Sequence, residues 1–179
     1  MSTQSPSHTN PRHAYLGGGC FWCTEAQFKL LPGVLSVVSG YAGGEKPNPT
    51  YEEVCSGRSG HAEIIRVDYD PEVLTYEQVL EKFWITHDPT TLNRQGNDVG
   101  TQYRSVIFHT TGEEKKQAEE SLSLARPHFQ DPIVTEISPL PVFYPAEAYH
   151  QDYFTNNPGN SYCAFVVRPK VEKFKHYLI

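Results

Sequence analysis

Long apolar runs are missing from this chain: nothing in it approaches the roughly 18 residues that a membrane-crossing helix requires. The amino terminus also lacks the basic and apolar stretches of a secretory signal. Together these absences imply a soluble, cytoplasmic protein with no membrane partner. A surplus of positive charge is missing too. The 179 residues carry 15 Lys and Arg against 21 Asp and Glu, so no basic field is offered to a nucleic-acid backbone. Cysteine is scarce, and four in a chain of this length are too few for a disulfide scaffold. Each cysteine therefore needs its own explanation as a reactive, metal-bound or packed thiol. Internal repeats are absent, and the only biased stretch is Met1 to Arg12, polar and holding two prolines, which reads as a disordered tail. Residues 13–179 are long enough to form one domain with a sizeable core.

What is present alternates between strand and helix patterns. Ala14 to Leu16 is a short apolar run entering three glycines, which suits a strand leading into a tight turn, and a helix starts near Cys20. Phe21, Phe28 and Leu31 fall near helical spacing until Leu31-Pro32-Gly33 ends the pattern. Val34 to Ser39 reads as a strand, Tyr51 to Cys55 as a single helical turn inside a long Gly- and Pro-rich connection, and His61 to Tyr69 as another strand. Alternation along that last strand places Glu63 on one face with Ile65, Val67 and Tyr69. Thr75 with Gln78 forms a capping-box pattern ahead of the apolar stripe Val79, Leu80, Phe83 and Trp84. A loop over 88–100, a strand from Tyr103 to Phe108 and a helix start at Thr111 with Glu114 follow, with further pieces at 133–137 and 145–154. The order strand, helix, strand, strand, helix, strand predicts an α+β fold, a two-layer α/β sandwich with a ferredoxin-like (split βαβ) core.

The chemistry concentrates at Gly-Gly-Gly-Cys-Phe-Trp-Cys, residues 17–23. A cysteine in the first turn of a helix faces unpaired N–H groups and the positive end of the helix dipole, which stabilise its thiolate. Cys20 has that placement, and Phe21 and Trp22 supply aromatic surface for an apolar group. The competing reading is a structural cysteine packed in a glycine turn, since free cysteine is among the most buried residue types. Cys20 and Cys23 also make a Cys-x-x-Cys pair, either half a zinc site or a redox dithiol, but no second close pair or His-x-x-x-His spacing completes a metal site. Glu63, on an apolar strand face, is either a desolvated acid with a raised pKa or a solvated strand residue. His87, His109, His128 and His150 show no ligand spacing and take structural roles by default.

Gly-Cys-Phe-Trp at 19–22 resembles the signature of the A-type peptide methionine sulfoxide reductases, repair enzymes for oxidised methionine. The resemblance continues through Gly-Tyr-Ala-Gly-Gly at 40–44, Pro-Thr-Tyr-Glu-Glu-Val-Cys at 49–55, Gly-His-Ala-Glu at 60–63, Gln-Gly-Asn-Asp-x-Gly-Thr-Gln-Tyr-Arg-Ser at 95–105 and Asn-Ser-Tyr-Cys at 160–163. It implies an α/β sandwich with a ferredoxin-like core, Cys20 as nucleophile, Phe21 and Trp22 as the pocket for the substrate methyl group, and Tyr51, Glu63, Asp98 and Tyr103 around the sulfoxide oxygen. It also implies thioredoxin as external reductant, no bound cofactor, oxidised proteins or peptides as substrates, and preference for the S epimer. Cys23 departs from the family, many of whose members have glycine there, and leaves two candidates, Cys163 and Cys23, for the thiol that resolves a Cys20 sulfenic acid. Cys163 is the favoured one because its motif matches, and Cys55 reads as a spectator.

Two rivals stand beside this reading: a thioredoxin-like disulfide oxidoreductase using Cys20 and Cys23, and a non-catalytic peptide-binding module whose Phe21, Trp22, Tyr51 and Tyr103 grip an apolar side chain.

Overall fold

A computed structural model describes residues 10–178. The expected tail therefore lies mostly outside the described residues. Arg12, assigned to it, instead opens the first strand, β1 (Arg12–Gly17), and pairs with Tyr69.

Four strands make the centre of the sheet: β1, β2 (Val34–Ala42), β3 (Ala62–Tyr69) and β6 (Val106–His109). They lie side by side in the order β6-β1-β3-β2, every neighbour antiparallel. The sheet is extended at one edge by β7 (Glu136–Pro139), parallel to β6, and at the other by β8 (Tyr144–Pro145) against β2. The result is a mixed α/β protein with a mostly antiparallel central sheet.

Alternation explains which side each strand residue serves. Ala14, Leu16, Ile65, Val67, Tyr69 and Ile107 join the main core beneath the helices, where α1 (Phe21–Phe28) contributes Phe21 and Phe28, and α3 (Tyr76–Thr86) contributes Val79, Leu80, Phe83 and Trp84. Each fully buried aromatic or aliphatic side chain is worth about 1.5–3 kcal/mol of removed apolar surface. The opposite face carries a smaller cluster, Ala42, Ala62, Ile64, Val106 and Phe108, covered by Leu140 and Phe143. β3 is thus buried on both faces, and Glu63 shares the helix-covered side with its apolar companions.

The capping box at Thr75 and Gln78 is formed in full. At Thr111 only half forms: its hydroxyl accepts from Glu114 N–H and starts α4 (Gly112–Ala125), while the Glu114 carboxylate accepts from Thr110. The expected strand from Tyr103 begins later, at Val106, because Thr101–Tyr103 closes as a 3₁₀ turn. The expected loop over 88–100 contains a small hairpin, β4 (Arg94–Gln95) and β5 (Asp98–Val99), with Gln95 clamped to Asp88 through both backbone groups. Gly19, at φ +89°, turns the chain from β1 into α1 against this hairpin, and a Cβ there would lie 2.7 Å from the Gln95 side chain.

Candidate active site

The sharp turn at Gly19 leaves Cys20 as the N-cap of α1, in extended conformation, with its side chain making no capping hydrogen bond. Cys20 is only 7% exposed. Burial is the largest influence on its thiol and pushes the pKa well above the ordinary value; the Cys23 sulfur and the Glu63 carboxylate push the same way, against a backbone hydrogen bond from Trp22. Desolvation thus opposes the stabilisation that a helix start gives a thiolate. Cys23 moves in the other direction. The hydrogen bond from Cys20 pulls it down against burial, with help from the Lys170 ammonium and the Tyr162 hydroxyl.

Glu63 enters from the start of β3, 1% exposed. One carboxyl oxygen, Oε1, accepts the Phe21 N–H at 3.1 Å, which satisfies a free donor of the α1 amino terminus. The other, Oε2, is buried without a partner among the described residues. Burial raises the Glu63 pKa to about 8, with Asp98 and Cys23 adding to it and the Phe21 hydrogen bond opposing. At neutral pH this carboxyl keeps its proton and has an oxygen free to donate it.

Around these groups the structure gathers the remaining sequence-identified residues. Tyr51 starts the five-residue helix α2 (Tyr51–Cys55), capped by a full Thr50–Glu53 box, and lies over Phe21 with ring centroids 6.5 Å apart. Burial is the main reason that the pKa values of Tyr51 and Tyr103 are raised, so both hydroxyls stay neutral donors. Asp98 of β5 accepts a hydrogen bond from the Tyr162 hydroxyl at 2.5 Å. Cys163 opens a π-helical turn, Cys163–Val167, that runs into α6 (Arg168–Lys175), and is fully buried in one apolar cluster with Cys20 and Cys23. Cys55 is exposed, and all four cysteines are free thiols.

Several residues of the site lacked a signal in sequence. His150 is completely buried, and its Nδ1 accepts the Trp22 indole N–H at 3.0 Å. Tyr153, first residue of the short helix α5 (Tyr153–Asn156), stacks on Trp22 with centroids 3.7 Å apart and planes 5° from parallel. Glu147 accepts from the Tyr41 hydroxyl and from the backbone N–H of Tyr51. Tyr162 joins Asp98 to the cysteine cluster. An apolar groove of about 840 Å³ between α3 and α4 shares no residue with this group.

Two thiols at a helix start, a third in the same cluster and a carboxyl that holds its proton near neutral pH are the equipment of a cysteine-dependent oxidoreductase. The family model described as peptide methionine sulfoxide reductase matches residues 12–178, and the chain belongs to that family. It is 57% identical over 161 residues to a peptide methionine sulfoxide reductase MsrA of Leptospira borgpetersenii serovar Hardjo-bovis, covering 90% of this chain and 92% of the relative. It also resembles the crystal structure of Mxr1 from Saccharomyces cerevisiae in reduced form, with TM-score 0.82, 35% identity, and 90% and 94% of the two chains covered. The same yeast protein in complex with Trx2 matches with TM-score 0.59 at 27% identity, over 85% of this chain and 91% of that one.

Proposed function

We propose that this chain reduces methionine sulfoxide, S epimer, free or in proteins, to methionine, with Cys20 as nucleophile and Glu63 as proton donor. The observation that carries the residue roles is the unpartnered Oε2 of Glu63, a protonated and buried acid next to the Cys20 helix start.

A sulfoxide sulfur is electrophilic, but its oxygen leaves only when protonated. Transfer of the Glu63 proton to that oxygen removes the need for a free hydroxide-like leaving group, and the Tyr51 and Tyr103 hydroxyls steady the oxygen while it accumulates charge. The Cys20 thiol proton passes to Glu63 as its sulfur bonds to the methionine sulfur; the oxygen then moves to Cys20, the sulfur–sulfur bond breaks, methionine departs as the thioether, and Cys20 holds the oxygen as sulfenic acid. Phe21 and Trp22 hold the methyl group and exclude water. Taking the Cys20 proton makes Glu63 neutral again, so the buried site carries no net charge at the end of the step.

A second thiol then attacks the Cys20 sulfenic acid, forming a disulfide and releasing water. Cys163 takes this role, supported by its burial in the Cys20 cluster, with Cys23 the competitor through its direct contact with Cys20. A dithiol of the thioredoxin class reduces the disulfide and is itself oxidised, a partner supported by the yeast relative's complex with Trx2. The enzyme then needs no bound cofactor. Free thiols of this kind fit a cytoplasmic setting; among the described residues no helix is long and apolar enough to cross a membrane. Residues 13–179 act as a single catalytic domain, and the order β6-β1-β3-β2 with α1 and α3 as crossovers supports a ferredoxin-like core.

The test follows NADPH oxidation with thioredoxin, thioredoxin reductase and a methionine-sulfoxide peptide. Wild type should turn over and Cys20→Ser should not, and Cys163→Ser should release one methionine per enzyme and then stall. Wild type without sulfoxide-dependent NADPH loss refutes the activity; normal recycling by Cys163→Ser, with a Cys20–Cys23 bridge on peptide mapping, moves the resolving role to Cys23.

A further inference from the structure

We infer that His150, as a neutral imidazole, is a positioning residue that fixes the Trp22 indole and closes the aromatic wall of the substrate pocket. The inference deepens the proposed sulfoxide reduction and rests on it.

His150 sits in a 3₁₀ turn, Ala148–His150, in contact with three separate elements of the site. Its ring centroid is 5.1 Å from Phe21, 5.8 Å from Trp22, 4.3 Å from Tyr51 and 6.3 Å from Tyr153. One directional contact links it to this group, the Trp22 Nε1–H donated to Nδ1. An indole nitrogen is only a donor, so Nδ1 must be unprotonated and the ring proton must sit on Nε2. Nε2 has no hydrogen-bond partner among the described residues and points toward Glu147 Oε2 at 3.8 Å.

The same turn is tied down on either side. Glu147 accepts from Tyr51 N–H and the Tyr41 hydroxyl, and the Asp152 N–H is held by Glu25 on α1 at 2.6 Å. His150 therefore cannot drift to follow Trp22; the indole must come to it. With Tyr153 stacked on one face of Trp22 and His150 fixing its edge, the ring has one orientation left.

Protonation would reverse the contact. An imidazolium has no acceptor, so Trp22 would lose its partner and face the new Nδ1–H, while the charged ring is drawn toward the Glu147 carboxylate on its Nε2 side. The charged groups facing the ring are Glu147, which precedes it, and Glu52 of α2; its other neighbours are aromatic. Burial lowers the His150 pKa, and those two carboxylates only partly restore it, so the neutral form dominates at neutral pH. The indole is released as pH falls below the ordinary imidazole range.

The experiment compares His150→Asn, whose amide oxygen can replace Nδ1 as acceptor, with His150→Phe, which fills the space without one. His150→Phe should raise KM for a methionine-sulfoxide peptide about 10-fold, with single-turnover kcat changed much less. His150→Asn should stay near wild type at pH 7.5 and lose the rise in KM that wild type shows on acidification. Trp22 emission, read in a Trp84→Phe background, should change between pH 7 and 5 and cease to change once His150→Asn is added. This fluorescence readout does not depend on turnover, so it decides the contact even if the chain fails to reduce sulfoxide. A wild-type KM in His150→Phe, equal KM losses in both variants, or a pH response of Trp22 that survives His150→Asn would overturn the inference.

Discussion

Glu25 and Glu63 are both carboxylates taken almost completely out of water, at 2% and 1% exposure, yet they are built for different ends. Glu25, on α1, is saturated: it accepts from the Ser39 hydroxyl at 2.8 Å and from the Asp152 N–H, and pairs with Lys29 at 3.0 Å. Glu63 receives a single hydrogen bond and keeps an oxygen idle. Burial raises both pKa values, but only for Glu25 do a hydroxyl and a cation pull back. A buried charge with every lone pair occupied joins elements together. A buried acid with one oxygen unpaired is costly to ionise and therefore holds a proton in reserve.

The largest expected effect separates the two through pH. A folded-state pKa raised above its unfolded value gives stability that is complete below the unfolded pKa and lost as pH rises through the folded one. For Glu63 that window runs from the ordinary 4.5 to about 8, and the difference corresponds to as much as roughly 5 kcal/mol. His87, whose pKa burial lowers to about 4, works in the opposite sense and costs stability only below its ordinary 6.5. Thermal midpoints measured from pH 4.5 to 9 should fall in wild type and fall much less in Glu63→Gln, with His87 acting alike in both. Parallel curves would mean that Glu63 titrates as a solvated group.

Next in size, Glu25→Ala strands the Ser39 hydroxyl and Asp152 N–H without an acceptor. It should cost about 3 kcal/mol, or roughly 6–12 °C in a domain of this length. A midpoint within 2 °C of wild type would remove Glu25 from the structural role given to it. The smallest effect in free energy is kinetic: Glu63→Gln keeps the shape and should slow the first methionine release by about 10²-fold at pH 7. An unchanged single-turnover rate would make Glu63 no different in kind from Glu25.

The contrast also explains what could be read before folding. The helix start at Cys20, the apolar face around Glu63 and the Thr75 capping box are written in residues a few positions apart, where periodicity and cap chemistry operate. The boundaries that moved did so under tertiary contact: Arg12 joins β1 because Tyr69 lies opposite, and the 88–100 segment folds into a hairpin around the Gln95–Asp88 clamp. Glu25 looks in sequence like any solvent-facing helix residue, and its partners lie at Ser39 and Asp152. His150 meets Trp22 across 128 positions and Glu147 meets Tyr51 across 96, distances over which no local pattern carries information. Phe21, Trp22 and Glu63 were legible as a place for chemistry; the frame that aims them was not.

That long reach sets a timetable for the growing chain. Synthesis runs from the amino terminus, so Cys20 and Glu63 exist well before the segment that carries Glu147, His150, Asp152 and Cys163. A nascent chain halted near residue 140 already holds β1, β2, β3 and β6, enough to form the sheet, but Trp22 has no edge partner and Cys20 no Cys163 beside it. Alkylation of ribosome-stalled chains should accordingly find Cys20 and Cys23 open until residues past 163 have emerged, then abruptly shielded; early shielding would show that the amino-terminal half closes the pocket alone. Until its last quarter arrives, the protein carries the Cys20 thiol without Cys163 beside it.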